Sequence, residues 1–336
     1  MRTYAYIKAI ASYLPEQIEK NDAADRFIQK IGVFEKHIAA EDETVSDLAV
    51  AAAENLFAKY AVDRRDIDFI VLCTQTPDYL MPTTACLVQS RLGLSQACGA
   101  LDYNLGCSGY AYGLSLIKGL IETEQAKNVL LLTACTYTKY ISKEDGTTRP
   151  LFGDSATATL VSGREAAKPL LHSFVFGTDG SKYDSLIIPA GGAKNPPHRT
   201  PIIEQVDERG NKRTNYEVFM DGQVITYFSL REVPPLVEKI LAKAGLQRAE
   251  MDYYVFHQAN KLMLGFVQKK CKLMDLPFYN DCSMVGNTVS GTIPLALEQI
   301  VAKHEVENLR NVMLAGFGVG LSWSGCVADL SEMIKI

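Results

Sequence analysis

Near-continuous apolar runs alternate with helix-like apolar stripes along most of the chain. Between residues 46 and 60, apolar side chains recur at helical spacing, at Leu48, Ala52, Leu56 and Phe57. A polar break at 63–66 leads into the apolar run Ile67–Leu72, which is typical of a strand that is buried on both faces. This pattern predicts a helix, a loop and a strand. Similar runs predict strands at Asn128–Thr133, Thr157–Val161, Tyr253–Phe256, Asn311–Leu314 and Ser322–Ala328.

The order helix, turn, strand returns 184 residues later in the chain. Aligning Leu56–Leu72 with Ile240–Phe256 matches five identical residues, among them the pair Asp68 and Asp252. The dipeptide Asn-Val at 128–129 recurs at 311–312, at the nearly equal offset of 183. We interpret these matches as an internal duplication. Helices that alternate with buried strands in both copies predict two similar α/β halves that share one core.

A polar stretch, Ser162–Lys168, follows the predicted strand that ends at Val161, and we expect the two halves to join there. The expected halves are residues 1–165 and residues 166–336. The segment Gly177–Asn215 is rich in glycine, proline, asparagine and charged residues, which predicts a long irregular excursion. Ordered loops of this length tend to line functional sites.

The composition is that of an ordinary globular protein, with 47% hydrophobic and 22% charged residues in a chain of 336. A formal charge of -5 disfavours binding to nucleic acid or to anionic lipid through a basic surface. No run approaches the roughly 18 apolar residues of a membrane helix, and Met1–Ile10 alternates like a strand, unlike a signal peptide. We therefore expect a cytoplasmic protein without a membrane partner.

The eight cysteines include no CxxC pair and no cysteine and histidine spacing that is typical of zinc ligands. Most of them lie in apolar runs, where a reduced thiol packs as a small hydrophobic side chain. The sequence therefore predicts no metal site and reduced thiols.

One cysteine, Cys107, lies in a turn of small residues, Asn104–Gly109, which precedes a helical stripe at Tyr110–Ile121. Glycines on both sides of this cysteine allow a tight backbone and leave room for a substrate. The first turn of a helix places N–H groups and partial positive charge beside a thiolate. The turn therefore predicts a nucleophilic cysteine, and the alternative is a small core cysteine packed beside glycines.

Two polar residues of the second half occupy similar turn positions. His257 directly follows the strand that ends at Phe256, and α/β sheets bind ligands at this end of their strands. Asn287 lies in a short turn before the predicted helix Pro294–Val301. The alternatives are a structural histidine and a turn asparagine. Together with Cys107, these residues form a candidate catalytic triad.

Seven short motifs follow one another along the chain: Gly32 with Lys36-His37-Ile38, Thr76-Pro77-Asp78 with Pro82-Thr83-Thr84-Ala85-Cys86, the Cys107 turn, Phe152-Gly153-Asp154, His257-Gln258-Ala259-Asn260, Gly286-Asn287-Thr288, and Gly316-Phe317-Gly318 with Trp323. On these motifs the chain resembles the β-ketoacyl-acyl-carrier-protein synthase III family of condensing enzymes over nearly its full length. The resemblance implies a thiolase-like fold, in which two duplicated βαβ halves form a five-layer αβαβα sandwich.

The resemblance also implies a reaction. The Cys107 thiolate would attack an acyl thioester, of coenzyme A or of acyl carrier protein, and hold the acyl group covalently. Malonyl-acyl-carrier protein would then lose carbon dioxide while His257 and Asn287 donate hydrogen bonds to its thioester oxygen. Backbone N–H groups of Cys107 and Val319 would form a second oxyanion hole. This chemistry needs no bound cofactor and no metal.

The expected function is therefore that of a 3-oxoacyl-acyl-carrier-protein synthase III-like acyltransferase. Asn287 favours carbon–carbon bond formation, because a neutral amide suits an enolate, whereas a carboxylate partner for His257 would favour general-base acyl transfer. One alternative is an acyltransferase that moves the acyl group from Cys107 to a hydroxyl or amine of a specialised metabolite. Another alternative is a non-catalytic partner subunit.

Family members bind substrate through residues that match Met81, Phe152, Met220, Gly222, Asn260 and Phe317. Met81 would cross a homodimer interface to cap the acyl cavity of the second copy, and the alternative is simple interface packing. The helix after His257 carries a basic cluster that would dock the acidic acyl carrier protein, and the alternative is a set of solvated surface lysines. The cluster includes Lys261, Lys269 and Lys270.

The sequence departs from the family at the positions that clamp the adenine of coenzyme A between a tryptophan and an arginine. The early segment reads Asp25–Lys30 without tryptophan, and Gly146 stands at the place of the arginine. The only tryptophan, Trp323, is expected to pack in the last strand. The lost stacking and cation–π attraction is worth roughly 1 kcal/mol or more, so we hypothesise that the acyl donor is a carrier protein. Val319 replaces a glycine or alanine of the family, which predicts a narrower site.

Overall fold

The computed structural model describes residues 2–334. The first part of the chain forms β1 (Arg2–Tyr13), β2 (Gln17–Lys20), α1 (Arg26–Ile31), β3 (Glu35–Ile38), α2 (Val45–Tyr60), β4 (Phe69–Cys73), α3 (Thr84–Arg91), β5 (Gly99–Tyr103), α4 (Gly109–Glu122), β6 (Asn128–Cys135) and β7 (Ser155–Ala166). The second part forms β8 (Leu171–Thr178), β9 (Leu186–Ile187), β10 (Glu204–Val206), β11 (Lys212–Thr214), β12 (Phe219–Met220), α5 (Gly222–Ala244), β13 (Tyr253–Phe256), α6 (Lys261–Lys270), α7 (Thr292–Val301), β14 (Val312–Gly318) and β15 (Ser322–Ala328).

Two mixed sheets have the same arrangement of strands. In the first sheet the order is β1-β7-β6-β4-β5, with β4 parallel to both neighbours and β7 antiparallel to both neighbours. In the second sheet the order is β8-β15-β14-β13, with β13 parallel to β14 and β15 antiparallel to both neighbours. A single parallel bridge between Tyr254 and Phe278 stands at the edge that β5 occupies in the first sheet. Each half therefore repeats one topology.

The aspartates that the sequence alignment paired make the same hydrogen bonds in each half. The Asp68 carboxylate accepts from two successive backbone N–H groups that end at Asn128, at 2.8 and 2.9 Å. The Asp252 carboxylate likewise accepts from two successive backbone N–H groups that end at Asn311, at 2.8 and 2.7 Å. Each asparagine side chain donates to the backbone carbonyl two residues before its aspartate, at 3.1 and 3.0 Å. The duplicated residues therefore tie the same two parallel strands together at the same point.

Helices and sheets form five layers. Helices α2 and α3 cover the outer face of the first sheet, and α5 covers the outer face of the second sheet with α6 packed beside it. Helices α4 and α7 lie between the two sheets, where residues such as Tyr110 and Leu297 are fully buried. This arrangement confirms the expected αβαβα sandwich. Among residues 2–334, no helix is both long enough and apolar enough to cross a membrane.

Two expectations about the chain between the halves need correction. Strand β7 continues to Ala166, past the end expected at Val161, because it pairs antiparallel with β1 as far as Arg2. Most of the polar stretch 162–168 is therefore strand, and the division at residue 165 stays an interpretation of the duplication. The excursion Gly177–Asn215 is not wholly irregular, because β10 and β11 form an antiparallel hairpin within it.

The two halves meet through backbone atoms at the turn that contains Cys107. A Cβ atom added to Gly316 of β14 would lie 2.4 Å from the carbonyl oxygen of Cys107 and 2.8 Å from the Cα atom of Ser108. The Ser324 hydroxyl of β15 donates to the carbonyl oxygen of Ser108 at 2.8 Å. The missing side chain at Gly316 therefore lets the second sheet hold this turn directly.

We expect Gly316→Ala to lower the free energy of unfolding by about 2 kcal/mol or more, because the added methyl group meets backbone atoms that cannot rotate away. Chemical unfolding monitored by circular dichroism measures this change. Gly119→Ala in α4 is the matched control, since an added Cβ atom there has nothing within 4 Å and alanine favours a helix. Equal stability of Gly316→Ala and the wild type would contradict the close approach.

Candidate active site

A cavity of about 800 Å³ reaches the junction between the two halves. Cys107, His257 and Asn287 all line it, and all three are buried. They come from three separate loops, which precede α4, follow β13 and precede α7. The fold therefore brings together the three residues that the sequence singled out.

The Cys107 thiol is protonated at neutral pH. The residue lies just before α4, which begins at Gly109, and it is 6% exposed. Burial raises the pKa of the thiol to about 12, although the backbone N–H groups of Val319 and of Cys107 itself act to lower it. The sequence predicts a thiolate, and the structure differs because the start of a helix is visible in a sequence and burial of the sulfur is not.

The loop after β14 lies directly against the sulfur. A Cβ atom on Gly318 would lie 2.7 Å from Cys107 Sγ, so a side chain there would displace the thiol. The Val319 side chain packs against Gly106 of the same turn, where its Cγ1 lies 2.6 Å from the place of an added Cβ atom. The valine side chain therefore crowds the turn that holds Cys107, while its backbone N–H faces the sulfur.

His257 is a neutral imidazole with one nitrogen available to the cavity. Its backbone N–H donates to the carbonyl of Ala315 in β14 at 2.8 Å, and its ring meets the edge of Phe317 with centroids 5.9 Å apart. Nδ1 lies 2.8 Å from the hydroxyl oxygen of Thr292, which leaves Nε2 for a ligand. Burial lowers the pKa of His257 to about 3, and the carbonyl of Val289 acts in the opposite direction. The ring therefore carries no charge near pH 7.

Asn287 is oriented by backbone groups on both sides. Its N–H donates to the carbonyl of Leu151 at 2.8 Å, and its carbonyl accepts from Gly153 at 3.1 Å. Its side-chain Oδ1 accepts from the backbone N–H of Val289 at 2.9 Å. Because a backbone N–H only donates, this contact fixes which end of the amide is oxygen. The Nδ2 group is left to donate to a ligand in the cavity.

Five of the six predicted substrate-binding residues line the cavity, namely Phe152, Met220, Gly222, Asn260 and Phe317. The sixth, Met81, is 83% exposed on the single chain and does not reach this cavity. Asn260 also caps α6, because its Oδ1 accepts from the N–H of Met263 at 2.9 Å. The lysines of the predicted docking cluster lie on α6, outside the cavity lining: Lys261, Lys269 and Lys270.

The outer part of the cavity contains residues that no motif of the sequence marks as functional. Phe27 of α1 lies at one side and is 39% exposed, so an aromatic ring is present where the sequence lacks the tryptophan of the family that it resembles. The tip of the β10–β11 hairpin forms another side. The hairpin is held by the ion pair of Arg213 with Asp145 at 3.3 Å and by the N–H of Gly146, which donates to Asn211 at 3.0 Å. The long excursion therefore lines the site, as its length predicted.

Two halves of the same topology in five layers, with a cavity at their junction, define a protein of the thiolase-like class. The model of the 3-oxoacyl-[acyl-carrier-protein] synthase III family matches residues 101–180. The model of the C-terminal part of this family matches residues 241–330. These two matches cover the Cys107 turn and both of the loops that carry His257 and Asn287.

Individual relatives agree with the family models. A β-ketoacyl-[acyl-carrier-protein] synthase III of Caldanaerobacter subterraneus subsp. tengcongensis is 32% identical over 98% of each chain. A crystal structure of a 3-oxoacyl-(acyl-carrier-protein) synthase III has a TM-score of 0.93 and 46% identity, covering 97% of this chain and 99% of that one. A 3-oxoacyl-(acyl-carrier protein) synthase of Burkholderia xenovorans has a TM-score of 0.88 and 33% identity, covering 99% and 97%. The chain belongs to the 3-oxoacyl-acyl-carrier-protein synthase III family of condensing acyltransferases, which confirms the resemblance.

We expect the alkylation of Cys107 by iodoacetamide to accelerate about tenfold per pH unit between about pH 6 and pH 9, because only the thiolate reacts and the pKa lies far above this range. Mass spectrometry of the peptide that contains Cys107 measures the rate. Cys86→Ser removes the exposed thiol, and Cys107→Ala gives the background. A rate that reaches a plateau below about pH 8 would show a resting thiolate instead.

Proposed function

We propose that this chain joins an acyl group held on Cys107 to the two-carbon unit of malonyl-acyl-carrier protein, with release of carbon dioxide. The observation that carries this proposal is that the Cys107 thiol, the His257 ring and the Asn287 amide, all of them buried, line one cavity. A sulfur nucleophile beside two neutral nitrogen groups suits thioester exchange followed by formation of an enolate. A charged pair of acid and base is not needed for either step.

In the acylation step, the sulfur of Cys107 bonds to the acyl carbon and the carbon–sulfur bond of the donor breaks. The proton of the thiol passes to the leaving thiol, so the exchange neither gains nor loses a proton. The backbone N–H groups of Cys107 and Val319 would stabilise the oxyanion of the tetrahedral intermediate. The same two groups already favour the thiolate in the free protein.

In the condensation step, the bond to the malonyl carboxylate breaks and carbon dioxide leaves. Negative charge then develops on the thioester oxygen, where Nδ2 of Asn287 and Nε2 of His257 would donate hydrogen bonds. The enolate carbon bonds to the acyl carbon, the bond between that carbon and the sulfur of Cys107 breaks, and the released thiolate takes up a proton from water. Neutral donors stabilise the enolate without protonating it, which keeps the carbon nucleophilic.

The central experiment measures the two steps separately. An acyl thioester should add its acyl mass to the wild type and not to Cys107→Ala, as seen by intact mass. Asn287→Ala should keep this acylation and lose roughly 10²-fold or more of the carbon dioxide release from malonyl-acyl-carrier protein, since one donor to the developing charge is removed.

Asn308→Ala, a change of an asparagine outside the cavity lining, should leave both rates unchanged. Acylation without carbon dioxide release by the wild type would favour acyl transfer to a hydroxyl or amine. No acylation by any thioester would favour a non-catalytic subunit. Either result would overturn the proposed condensation.

We propose that α6 docks the acyl carrier protein. Lys269 and Lys270 end this helix with two exposed positive charges, and the first turn of the same helix lines the cavity with Leu262 and Met263. A carrier protein bound at the basic end would thus lie beside the route to Cys107. The chain is negatively charged as a whole, so a local basic cluster would steer an acidic partner to this surface.

We also propose that a carrier protein, and not coenzyme A, supplies the first acyl group. Gly146 has no side chain to offer a nucleotide, and its N–H is already bonded to Asn211 of the hairpin. Phe27 offers a smaller aromatic face than a tryptophan. These features support a donor that needs no adenine contact.

The double variant Lys269→Glu and Lys270→Glu should lower turnover with acyl carrier protein substrates about tenfold, because it reverses the steering charge. Turnover with pantetheine thioesters, which lack a carrier, should change less than about twofold. Lys127→Glu with Lys303→Glu is the matched control, since both lysines are exposed and lie outside α6. Equal loss with both kinds of substrate would contradict docking on α6.

We propose that the protein is a cytoplasmic homodimer. Three consecutive side chains stand out from the surface of the single chain, with Tyr79 60%, Leu80 90% and Met81 83% exposed. Contiguous apolar exposure of this kind is typical of a protein interface. A second copy that covers this segment would bring Met81 near the acyl group of the other copy, as the family resemblance implies. The free cysteines suit a reducing compartment.

A further inference from the structure

Two hydroxyl groups join the turn of Cys107 to the loop that carries Val319. This loop connects β14 to β15, where Gly318 and Ser322 face each other across the two antiparallel strands. The hydroxyl oxygen of Ser322 lies 2.9 Å from the carbonyl oxygen of Val319 and 2.7 Å from the hydroxyl oxygen of Ser108. Ser108 directly follows Cys107 in the chain. These contacts therefore bridge the two halves of the molecule beside the nucleophile.

The directions of both hydrogen bonds follow from the protons that are present. A carbonyl oxygen only accepts, so Ser322 donates its single hydroxyl proton to Val319. The oxygen of Ser322 then accepts from the hydroxyl of Ser108. Ser108 is 1% exposed and Ser322 is 3% exposed, so bulk water does not compete for these bonds. The result is one directed chain from Ser108 through Ser322 to Val319, in which each bond strengthens the next.

This chain of hydrogen bonds ends beside the two backbone groups that face the sulfur. The N–H groups of Cys107 and of Val319 both act to lower the pKa of the Cys107 thiol, against the larger effect of burial. They belong to different halves, so the distance between them depends on contacts between the halves. The Ser324 hydroxyl fixes the carbonyl of Ser108 at 2.8 Å, on the side of the cysteine. The Ser322 hydroxyl fixes the side of Val319.

We propose that Ser322 is a positioning residue that holds the Val319 loop so that the N–H groups of Cys107 and Val319 meet at one oxyanion. Its hydroxyl acts on both arms, because it donates to Val319 and accepts from Ser108, the neighbour of Cys107. Neither serine lines the cavity, so neither touches a substrate there. The inference rests on the proposed function, since this oxyanion develops only if Cys107 exchanges an acyl group.

The other contacts of the loop fix a different part of it. Leu321 exchanges two backbone hydrogen bonds with Asp179, at 2.9 and 3.1 Å, which tie the far side of the loop to the residue after β8. Gly320, between Val319 and Leu321, is exposed and has no side chain to pack. The part of the loop that faces Cys107 therefore depends on Ser322.

Ser322→Ala removes the bridging hydroxyl. We expect acylation of Cys107 to slow about tenfold or more, because one donor of the oxyanion hole is no longer held in place. Carbon dioxide release by protein that has first been fully acylated should stay within about twofold of the wild type, since the separate donors of that step are unchanged. Intact mass measures the acylation, and trapping of labelled carbon dioxide measures the second step.

The fate of the enolate separates positioning from general damage. Formation of the carbon–carbon bond passes through a tetrahedral oxyanion at the same two N–H groups. In Ser322→Ala this attack should be slower, so water protonates more of the enolate and acetyl-acyl-carrier protein forms instead. The ratio of 3-oxoacyl product to carbon dioxide should fall from about one in the wild type to below about one half. A merely structural loss would lower both quantities together and leave the ratio unchanged.

Alkylation of Cys107 by iodoacetamide tests the contact without a substrate. The N–H of Val319 favours the thiolate in the free protein. When this N–H loses its position, the pKa of the thiol rises and less thiolate is present at a given pH. Alkylation of Ser322→Ala at about pH 8 should therefore be slower than that of the wild type by about threefold or more.

Ser108→Ala is the second variant, and it carries the test alone if Ser322→Ala does not fold, as seen by circular dichroism. It removes the donor to Ser322 and keeps the bond to Val319, so the same three measurements should move in the same direction by a smaller factor. Ser162→Ala is the matched control, since it removes a buried hydroxyl of β7 that donates to Asn128 at 2.6 Å, outside the cavity lining. It should match the wild type in all three measurements.

The outcomes distinguish this inference from the proposed function. A wild type that takes up an acyl group and releases no carbon dioxide would overturn the condensation, while acylation and alkylation still decide the role of Ser322. A wild type that takes up no acyl group would overturn both. Wild-type rates of acylation and alkylation in both serine variants would overturn only the role of Ser322. Equal loss in the two steps with an unchanged product ratio would do the same.

Discussion

The site depends on one close contact between backbones, in which β14 lies against the turn of Cys107 with no side chain between them. Gly316 and Gly318 make this approach possible, since a Cβ atom on either would lie within 2.7 Å of Cys107 atoms. The same strand accepts the backbone N–H of His257 at Ala315. Strand β14 therefore sets the positions of the cysteine and the histidine relative to each other, although they belong to different halves. Any change that moves this strand moves both groups.

Burial at this contact gives the site its electrostatic character. It raises the pKa of Cys107 to about 12 and lowers that of His257 to about 3, so neither group is charged at rest. In such a site the polarity comes from fixed hydrogen-bond donors, which need not reorganise when charge develops on a substrate. Asn287 fits this character because its orientation is fixed by a backbone N–H and it has no titratable group. The arrangement is therefore suited to an anion that exists only during the reaction.

The sequence predicted the fold and the three central residues because both leave local signals. Buried strands are apolar runs, and Asp68 and Asp252 recur at one offset because they bind the same turn in each half. The contact of the Thr292 hydroxyl with Nδ1 of His257 left no such signal, since a threonine at the start of a helix is typical of a simple cap. The hydrogen bond from the N–H of Gly146 to Asn211 of the hairpin joins residues that are distant in the chain, so no local pattern predicts it. The protonated state of Cys107 depends on three-dimensional burial, which the glycine-rich turn does not reveal.

The duplication also explains why one chain builds one site. Helices α4 and α7 begin 183 residues apart and lie in the same central layer, so the residue two before each helix is Cys107 in one half and Ser290 in the other. At the offset of 184, His257 corresponds to Cys73, whose thiol donates to the carbonyl of Leu105 at 3.0 Å. Neither Ser290 nor Cys73 lines the cavity. Equivalent positions therefore hold a reactive group in one half and a locally bonded, structural group in the other. Cys107 of the first half and His257 of the second half line the same cavity where the halves meet.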